Sequence, residues 1–445
     1  MAYLDPVRDA ALRVCLKVFE QGAFLDIAAD VALRRGRLSE RGSRFFTHLA
    51  FGTVRHKTLA DYVLRPLVRQ PLERLPGPVL TILRMGIFQA LFCRQVTRPA
   101  LVHTSVELAK RYGHRGTARL VNAVLRRVPR SLEEISWPDR NADLKAFLAV
   151  RYSAPDWIID LWMEELGPET AERLCATSNE QAPAALRANT LRIQTEQLRA
   201  GLVRAHCLVE KTTEIPEELT VLGGTPATRT RLFKEGCFMM QDPAAMIGAH
   251  LLEPQPAERI LDLCAAPGGK TTHIAEWSNG LAHIAALDIH PGRLQLVKDN
   301  IQRLRTPNVS LVCADGRVPP FETGGFDRVL VDAPCSGLGT LRRRPDIKWR
   351  LRKTDLEDLA QLQEHLLRSG IRLCKNGGLI VYGVCTFTKR ETDQVVQRVL
   401  STEPVAPVDG AEWLNRWRTG PGTYRTMPHR EAMDGFFWMR LRKAS

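Results

Sequence analysis

Between residues 259 and 385 the chain repeats one device: a short apolar run, closed by an acid or a cysteine, followed by a stretch of helical periodicity. Residues 259–263 enter a Gly-rich turn and a helix, and 284–287 end at Asp288 before a helix over 292–304. Residues 309–312 lead to Asp315, and 326–331 end at Asp332. A long helix over 355–374 carries Leu356, Leu359, Leu362, Leu366 and Ile371 on one side, and 379–384 end at Cys385. Parallel strands can be joined only through crossovers, so this alternation predicts a mostly parallel, doubly wound sheet whose ligands lie at the carboxyl ends of its strands. All the residues singled out for chemistry fall at those ends.

The string Asp262-Leu263-Cys264-Ala265-Ala266-Pro267-Gly268-Gly269-Lys270-Thr271 lies between a predicted strand and helix. Its small side chains let backbone approach a ligand, and amide N–H groups point outward at the helix start. It departs from G-x-G-x-x-G, so a pyrophosphate cofactor is not specifically indicated. Asp288, at the next strand end, is placed to accept hydrogen bonds from ribose hydroxyls, and Asp315 is placed to meet an adenine amine. One such acid is usually a solubilising residue; three at successive strand ends point to a nucleoside cofactor.

Asp332-Ala333-Pro334-Cys335-Ser336-Gly337 and Tyr382-Gly383-Val384-Cys385-Thr386 close the next two strands. A free cysteine is most often a small buried hydrophobe. Two at adjacent strand ends beside a cofactor loop are better explained by catalysis.

Upstream the pattern differs. From residue 5 to about 130 the apolar spacing is helical, with Ser39 as the N-cap of a helix through Phe45, Phe46, Leu49 and Val54, and a break at Gly113. Residues 1–150 hold 25 Lys and Arg against 13 Asp and Glu, while the rest hold 38 against 36, so the net charge of +14 is concentrated in the first third. Such a distribution suits a polyanionic partner. Arg119, Arg126 and Arg127 are candidates for phosphate contact, or else belong to a solvated helix face. A polar stretch over 131–143 reads as a linker, and 182–240 as short mixed segments separated by turns such as Gly223-Gly224. Ten cysteines without a C-x-x-C pair, and no His cluster at zinc spacing, predict no metal and reduced thiols. With neither a signal-like start nor an apolar stretch of membrane-spanning length, a soluble cytoplasmic protein without a membrane partner is expected.

The strings 262–270, 332–337 and 382–385 resemble those of the RNA cytosine-5 methyltransferases of the Nol1/Nop2/Sun family. The N-terminal part, in Leu83-Arg84-Met85-Gly86 and residues 119–127, is similar to a NusB-like RNA-binding domain; the likeness continues to Asp434-Gly435-Phe436-Phe437. It implies an α/β chain with an all-α NusB-like domain over 1–140, linker helices and a small α/β RNA-binding subdomain over 141–240, and a Rossmann-like class I methyltransferase domain over 241–445. The implied cofactor is S-adenosyl-L-methionine, held by Cys264, Ala265, Ala266, Pro267, Gly268, Gly269, Lys270, Asp288, Asp315 and Asp332. The implied partner is 16S ribosomal RNA, naked or in an early assembly intermediate, methylated at the cytosine-967 position. By resemblance Cys385 is the nucleophile toward carbon 6, Asp332 holds the cytosine edge, and Cys335 takes part in product release. Related DNA enzymes use the Pro-Cys cysteine instead, so exchange of the two roles stays open. Where the family has a Pro-Glu-Glu-Asn-like run this chain has Lys389-Arg390-Glu391-Thr392, and Gly383 and Val384 replace small hydroxyl residues. Other readings are an RNA-binding assembly factor without turnover, a cytosine-5 enzyme acting on another RNA, and an amino-group methyltransferase, which needs no covalent thiol.

Overall fold

The computed structural model describes residues 4–36 and 38–445. They form two compact units, one reaching to Glu180 and taking in Leu341–Lys353, the other made of Gln181–Thr340 and Thr354–Ser445.

The first unit is helical: Pro6–Gln21, Leu25–Arg35, Glu40–Arg55, Lys57–Leu64, Gly77–Phe92, Arg98–Tyr112 and Arg115–Leu125, followed by Leu144–Arg151, Asp156–Leu166 and Pro168–Thr177. Ser39 caps as expected, its Oγ accepting the Gly42 N–H at 3.1 Å. Gly77–Phe92 buries Val79, Ile82, Leu83, Met85, Ile87 and Phe88, and a helix apolar on most sides belongs at the centre of a bundle. Its neighbours come close because of two glycines: a Cβ at Gly52 would lie 1.9 Å from the Phe88 ring, and one at Gly86 2.5 Å from Leu125. Arg84, in the same helix, pairs with Asp61 at 2.6 and 2.9 Å and lies over the Phe19 ring. The charge in Leu83-Arg84-Met85-Gly86 therefore serves the bundle core.

This packing unit extends past the boundary at 140 expected from the sequence. Leu144–Arg151 packs on Lys57–Leu64, and Leu341–Lys353 joins the same unit although it interrupts the methyltransferase-like strand pattern. The Lys348 ammonium donates to the carbonyls of Ser153 (2.8 Å) and Arg55 (3.2 Å) and to Asn179 Oδ1 (3.4 Å). Trp349 Nε1 donates to the Val54 carbonyl at 2.7 Å. Burial, with Arg55 nearby, pushes Lys348 down to about 7.

In the second unit β1 (Ala184–Ala188), β2 (Cys207–Glu210), β3 (Glu218–Gly224) and β4 (Phe238–Met240) form an antiparallel sheet in the order β2-β3-β1-β4. Gly223-Gly224, expected as a turn, is the end of β3 paired with Cys207 and Leu208 at a bulge; Gly224, at φ +82°, would put a Cβ 2.1 Å from the His206 carbonyl oxygen.

The larger sheet contains β5 (Arg259–Asp262), β6 (His283–Asp288), β7 (Val309–Cys313), β8 (Phe326–Asp332), β9 (Cys374–Val384), β10 (Val405–Pro407), β11 (Arg418–Gly420), β12 (Thr423–Thr426) and β13 (Phe436–Lys443). Its order is β11-β12-β13-β9-β8-β5-β6-β7, with β10 on β13. The strands β5 to β9 pair in parallel as predicted. The expectation of a mostly parallel sheet needs correction on one side, where β10 to β13 add an antiparallel flank against β9. Their short, polar runs give little period-2 signal, and only β13 is apolar enough to be buried nearly throughout. From β5 the chain builds outward through β6 and β7, then returns to build β8 and β9 on the other side, so the strand order reverses between β5 and β8. That reversal opens a crevice at the carboxyl ends of β5, β6 and β8.

Candidate active site

The loop after β5 begins with Asp262, whose Oδ2 accepts the Thr271 hydroxyl at 2.7 Å. Burial raises Asp262 to about 7, with Asp332 adding to the rise and Thr271 and Lys270 opposing it. Ala265 N–H donates to Leu287 O at 2.8 Å and Ala266 N–H to Asp288 Oδ2 at 3.3 Å, tying the loop to the end of β6. Gly268 adopts φ +98°, a conformation L side chains avoid, and a Cβ there would press on Val297 at 3.1 to 3.2 Å. It is the N-cap of the helix Gly269–Trp277 and offers no side-chain cap, so first-turn amides face the crevice without intrahelical partners. Cys264 is driven well above the ordinary thiol range by burial and by Asp262, Asp332 and Asp288.

Asp288, 3 % exposed, also accepts the His290 N–H at 3.0 Å and has Arg293 at 3.5 Å. Asp315 lies two residues beyond β7. It is clasped by Arg317 at 2.6 to 3.0 Å, and those hydrogen bonds hold its carboxyl below the usual range.

Across the crevice Asp332 ends β8 and binds the Lys270 ammonium at 2.6 Å. Beneath that ammonium lie the rings of Phe436 and Trp438, with centroids 5.2 and 5.5 Å away. Burial alone would lower Lys270, but Asp332 reverses the effect and raises it. Ala333 N–H donates to Gly383 O at 2.9 Å, holding the ends of β8 and β9 together. Beyond that link, Cys335 Sγ and Cys385 Sγ stand 3.2 Å apart. Bonding to Cys385 and burial both push Cys335 well above the ordinary thiol range.

Of the departures noted in the sequence, Gly383 has a structural reason. A Cβ at Gly383 would lie 2.0 Å from the Trp438 ring, so no larger residue fits while that ring lies flat against β9. In the 389–392 run, Glu391, which stands where the family's run also has a Glu, is fully buried. Its Oε1 accepts the Ser336 N–H at 2.7 Å and the Gln363 amide at 3.0 Å, and its Oε2 accepts the Thr388 hydroxyl at 2.9 Å.

Against these geometries, three family models match the chain: 16S rRNA methyltransferase RsmB/F over residues 249–442, the NusB family over 5–130, and the RsmF/B-like ferredoxin-like domain over 154–228. The Probable ribosomal RNA small subunit methyltransferase B of Bacillus subtilis (strain 168) is 33% identical over 98% of both chains. The chain belongs to the RsmB/F methyltransferase family. Its Synechocystis relative of the same name is 35% identical over 98% of this chain and 99% of that one. The crystal structure of PH0851 superimposes with a TM-score of 0.83 at 26% identity, covering 99% of both chains. Within this RsmB/F chain the structure brings Asp332, Cys335 and Cys385 together with Lys270, whereas Asp315 is engaged by Arg317. Sequence reasoning missed the aromatic floor that Phe436 and Trp438 form beneath Lys270, although the aromatic run 436–438 was there to be read, and it took the run that holds Glu391 as a mere departure.

One further cluster lies apart. Glu217 Oε1 receives His250 Nε2 at 2.8 Å and His273 Nε2 at 2.7 Å, and all three are buried. A metal on both Nε2 atoms would need each Nδ1–H to find an acceptor, and neither Nδ1 has a partner. The contacts are those of two imidazole N–H groups donating to one carboxylate, and His273 is lowered to about 4, by burial above all. Among the described residues no helix is long and apolar enough to cross a membrane.

Proposed function

We propose that this protein transfers a methyl group from S-adenosylmethionine to carbon 5 of a cytosine in 16S ribosomal RNA, the cytosine-967 position by family resemblance, through a covalent adduct with Cys385. The observation that carries the reading is the 3.2 Å approach of two cysteine sulfurs beside the Asp332–Lys270 pair at the crevice. An amino-group methyltransferase has no use for that thiol pair.

The crevice suits the nucleoside cofactor. Its acids, Asp288 and Asp315, fit hydroxyl and amine groups and would repel phosphate, and the small residues Ala265, Ala266, Gly268 and Gly269 leave backbone exposed to a ligand. When bound there, S-adenosylmethionine supplies the methyl group as an electrophile. Carbon 5 of cytosine is too poor a nucleophile to take it unaided. The Cys385 sulfur adds to carbon 6, and the new C–S bond moves electron density to carbon 5. Asp332, anchored by Lys270, faces the cytosine edge at N3 and the exocyclic amine and favours the charge that develops there. The proton on carbon 5 then leaves to solvent, its C–H electron pair re-forms the C5–C6 double bond, and the C6–S bond breaks to return Cys385 as thiolate; Cys335, 3.2 Å from the Cys385 sulfur, takes part in that release. The assignment of Cys385 over Cys335 as nucleophile rests on the family resemblance. The target base is unstacked or looped out, since carbon 6 is inaccessible within a helix. The basic helical unit, with Arg119, Arg126 and Arg127 exposed, engages the RNA backbone, whether naked or in an early assembly intermediate. Ten free cysteines suit a reducing cytoplasm.

Incubation of unmodified 16S RNA with labelled cofactor, followed by nucleoside analysis and position mapping, tests the reading. Label in 5-methylcytosine at one position supports it. Label in an N4-methylated base, or RNA binding with no label, contradicts it.

A further inference from the structure

We infer that Glu391 is the positioning residue of this site, holding the Cys335 loop against the Cys385 loop so that the two sulfurs meet. The inference rests on the cysteine mechanism proposed above and adds to it a residue that touches neither substrate nor cofactor.

Cys335 and Cys385 are 50 residues apart in sequence, and neither lies in regular structure: Cys335 is three residues past the end of β8, and Cys385 is the first residue after β9. Strand pairing fixes Ala333 against Gly383, but beyond that point each loop needs its own restraint. Glu391 supplies it from both sides. Oε1 takes the N–H of Ser336, next to Cys335, and Oε2 takes the hydroxyl of Thr388, three residues past Cys385. Gln363, on the long helix Asp355–Leu373, donates to Glu391 Oε1 at 3.0 Å and to the Pro334 carbonyl at 2.9 Å, so the Pro-Cys-Ser turn is gripped on both flanks. The Tyr382 hydroxyl donates to the Glu391 carbonyl at 2.8 Å, fixing the backbone that carries the carboxylate. Ser336 Oγ to Thr386 Oγ1 at 3.0 Å adds a direct link between the loops.

A buried carboxylate with no Lys or Arg among its hydrogen-bonding partners in the described residues is costly to keep. Three neutral donors converging on it repay that cost only if geometry is the gain. Removing the carboxylate frees the Ser336 N–H and lets the turn drift. A displacement near 1 Å at reacting groups can cost about 10²-fold in rate.

The test uses the full-length protein with 16S RNA. Glu391→Ala is expected to lower turnover about 10- to 100-fold while leaving S-adenosylhomocysteine affinity within about twofold of wild type. It should accumulate a denaturation-resistant protein–RNA adduct, as Cys335→Ala does, because the release step loses its partner. Glu391→Gln, whose amide oxygen can still accept the Ser336 N–H, should regain most of the turnover and shed the adduct. Should Glu391→Ala not fold, Gln363→Met removes one donor from the same grip and is expected to show the same adduct in milder form. Wild-type turnover in Glu391→Ala and Gln363→Met would overturn the inference, as would a Glu391→Gln variant no better than Glu391→Ala. If wild type makes no 5-methylcytosine, or Cys385→Ala still does, the failure lies in the cysteine mechanism, not in Glu391.

Discussion

Replacing Asp262 by Asn should flatten the pH dependence of stability in the methyltransferase unit. Asp262 sits fully buried at the end of β5, with one oxygen on Thr271 and burial raising its carboxyl from 3.8 to about 7. A carboxyl that is harder to ionise in the folded than in the unfolded chain binds its proton more tightly when folded. Its contribution to stability is full below about pH 4 and is lost as pH rises through 7. With an unfolded value of about 3.9, the loss between pH 5 and pH 8 amounts to roughly 2 to 3 kcal/mol. Asn cannot ionise and contributes no such slope, whatever constant offset its own hydrogen bonding adds. Glu276, also raised to about 7, and His273 titrate nearby, so the informative quantity is the difference between wild type and variant. Urea unfolding across pH 5 to 8, followed by hydrogen exchange in peptides spanning residues 259–277, restricts the measurement to this unit. Wild type should lose about 2 to 3 kcal/mol more than Asp262→Asn over that range. Parallel curves would refute the claim that burial governs this carboxyl.

Three further predictions concern the neighbouring elements. Lys270→Met leaves Asp332 without its cation and should reduce kcat for methyl transfer to 16S RNA about 10²-fold, as read from initial rates. Gly383→Ser restores a small hydroxyl residue but drives a Cβ into the Trp438 ring; it should cost about 1 to 3 kcal/mol, partly recovered in the double variant with Trp438→Leu, as read by the same exchange assay. Arg126→Ala and Arg127→Ala should each reduce the dependence of log affinity for RNA on log salt by ~0.7 to 0.9, and an unchanged slope would return these arginines to the role of a solvated face.

The parallel strands and the loops at their ends were readable because each strand is a short apolar run stopped by Asp or Cys, and burial on both faces leaves that pattern little freedom. The flank from β10 to β13 was not readable for the opposite reason: Arg418–Gly420 and Thr423–Thr426 are too short and polar to declare a period, and their pairing depends on β13 docking at β9. Asp332, Cys335 and Cys385 could be chosen from motif position alone, and the structure brings them to one place. What holds them there could not. The partners of Glu391 are Ser336, Gln363 and Thr388, the first two being 55 and 28 residues away; no local spacing announces such contacts. The return of Leu341–Lys353 to the helical unit is likewise a tertiary event, visible only once Lys348 and Trp349 are seen bonded to carbonyls of Ser153 and Val54.

The division of labour between the two sulfurs is the centre of the account, and one experiment addresses it. Wild-type, Cys385→Ala and Cys335→Ala proteins are mixed with radiolabelled S-adenosylmethionine and unmodified 16S RNA, and both methyl transfer and adducts that survive denaturation are scored. The account predicts 5-methylcytosine from wild type, none from Cys385→Ala, and an accumulated protein–RNA adduct from Cys335→Ala. Turnover by Cys385→Ala together with a dead Cys335→Ala that forms no adduct would contradict it and reverse the two roles.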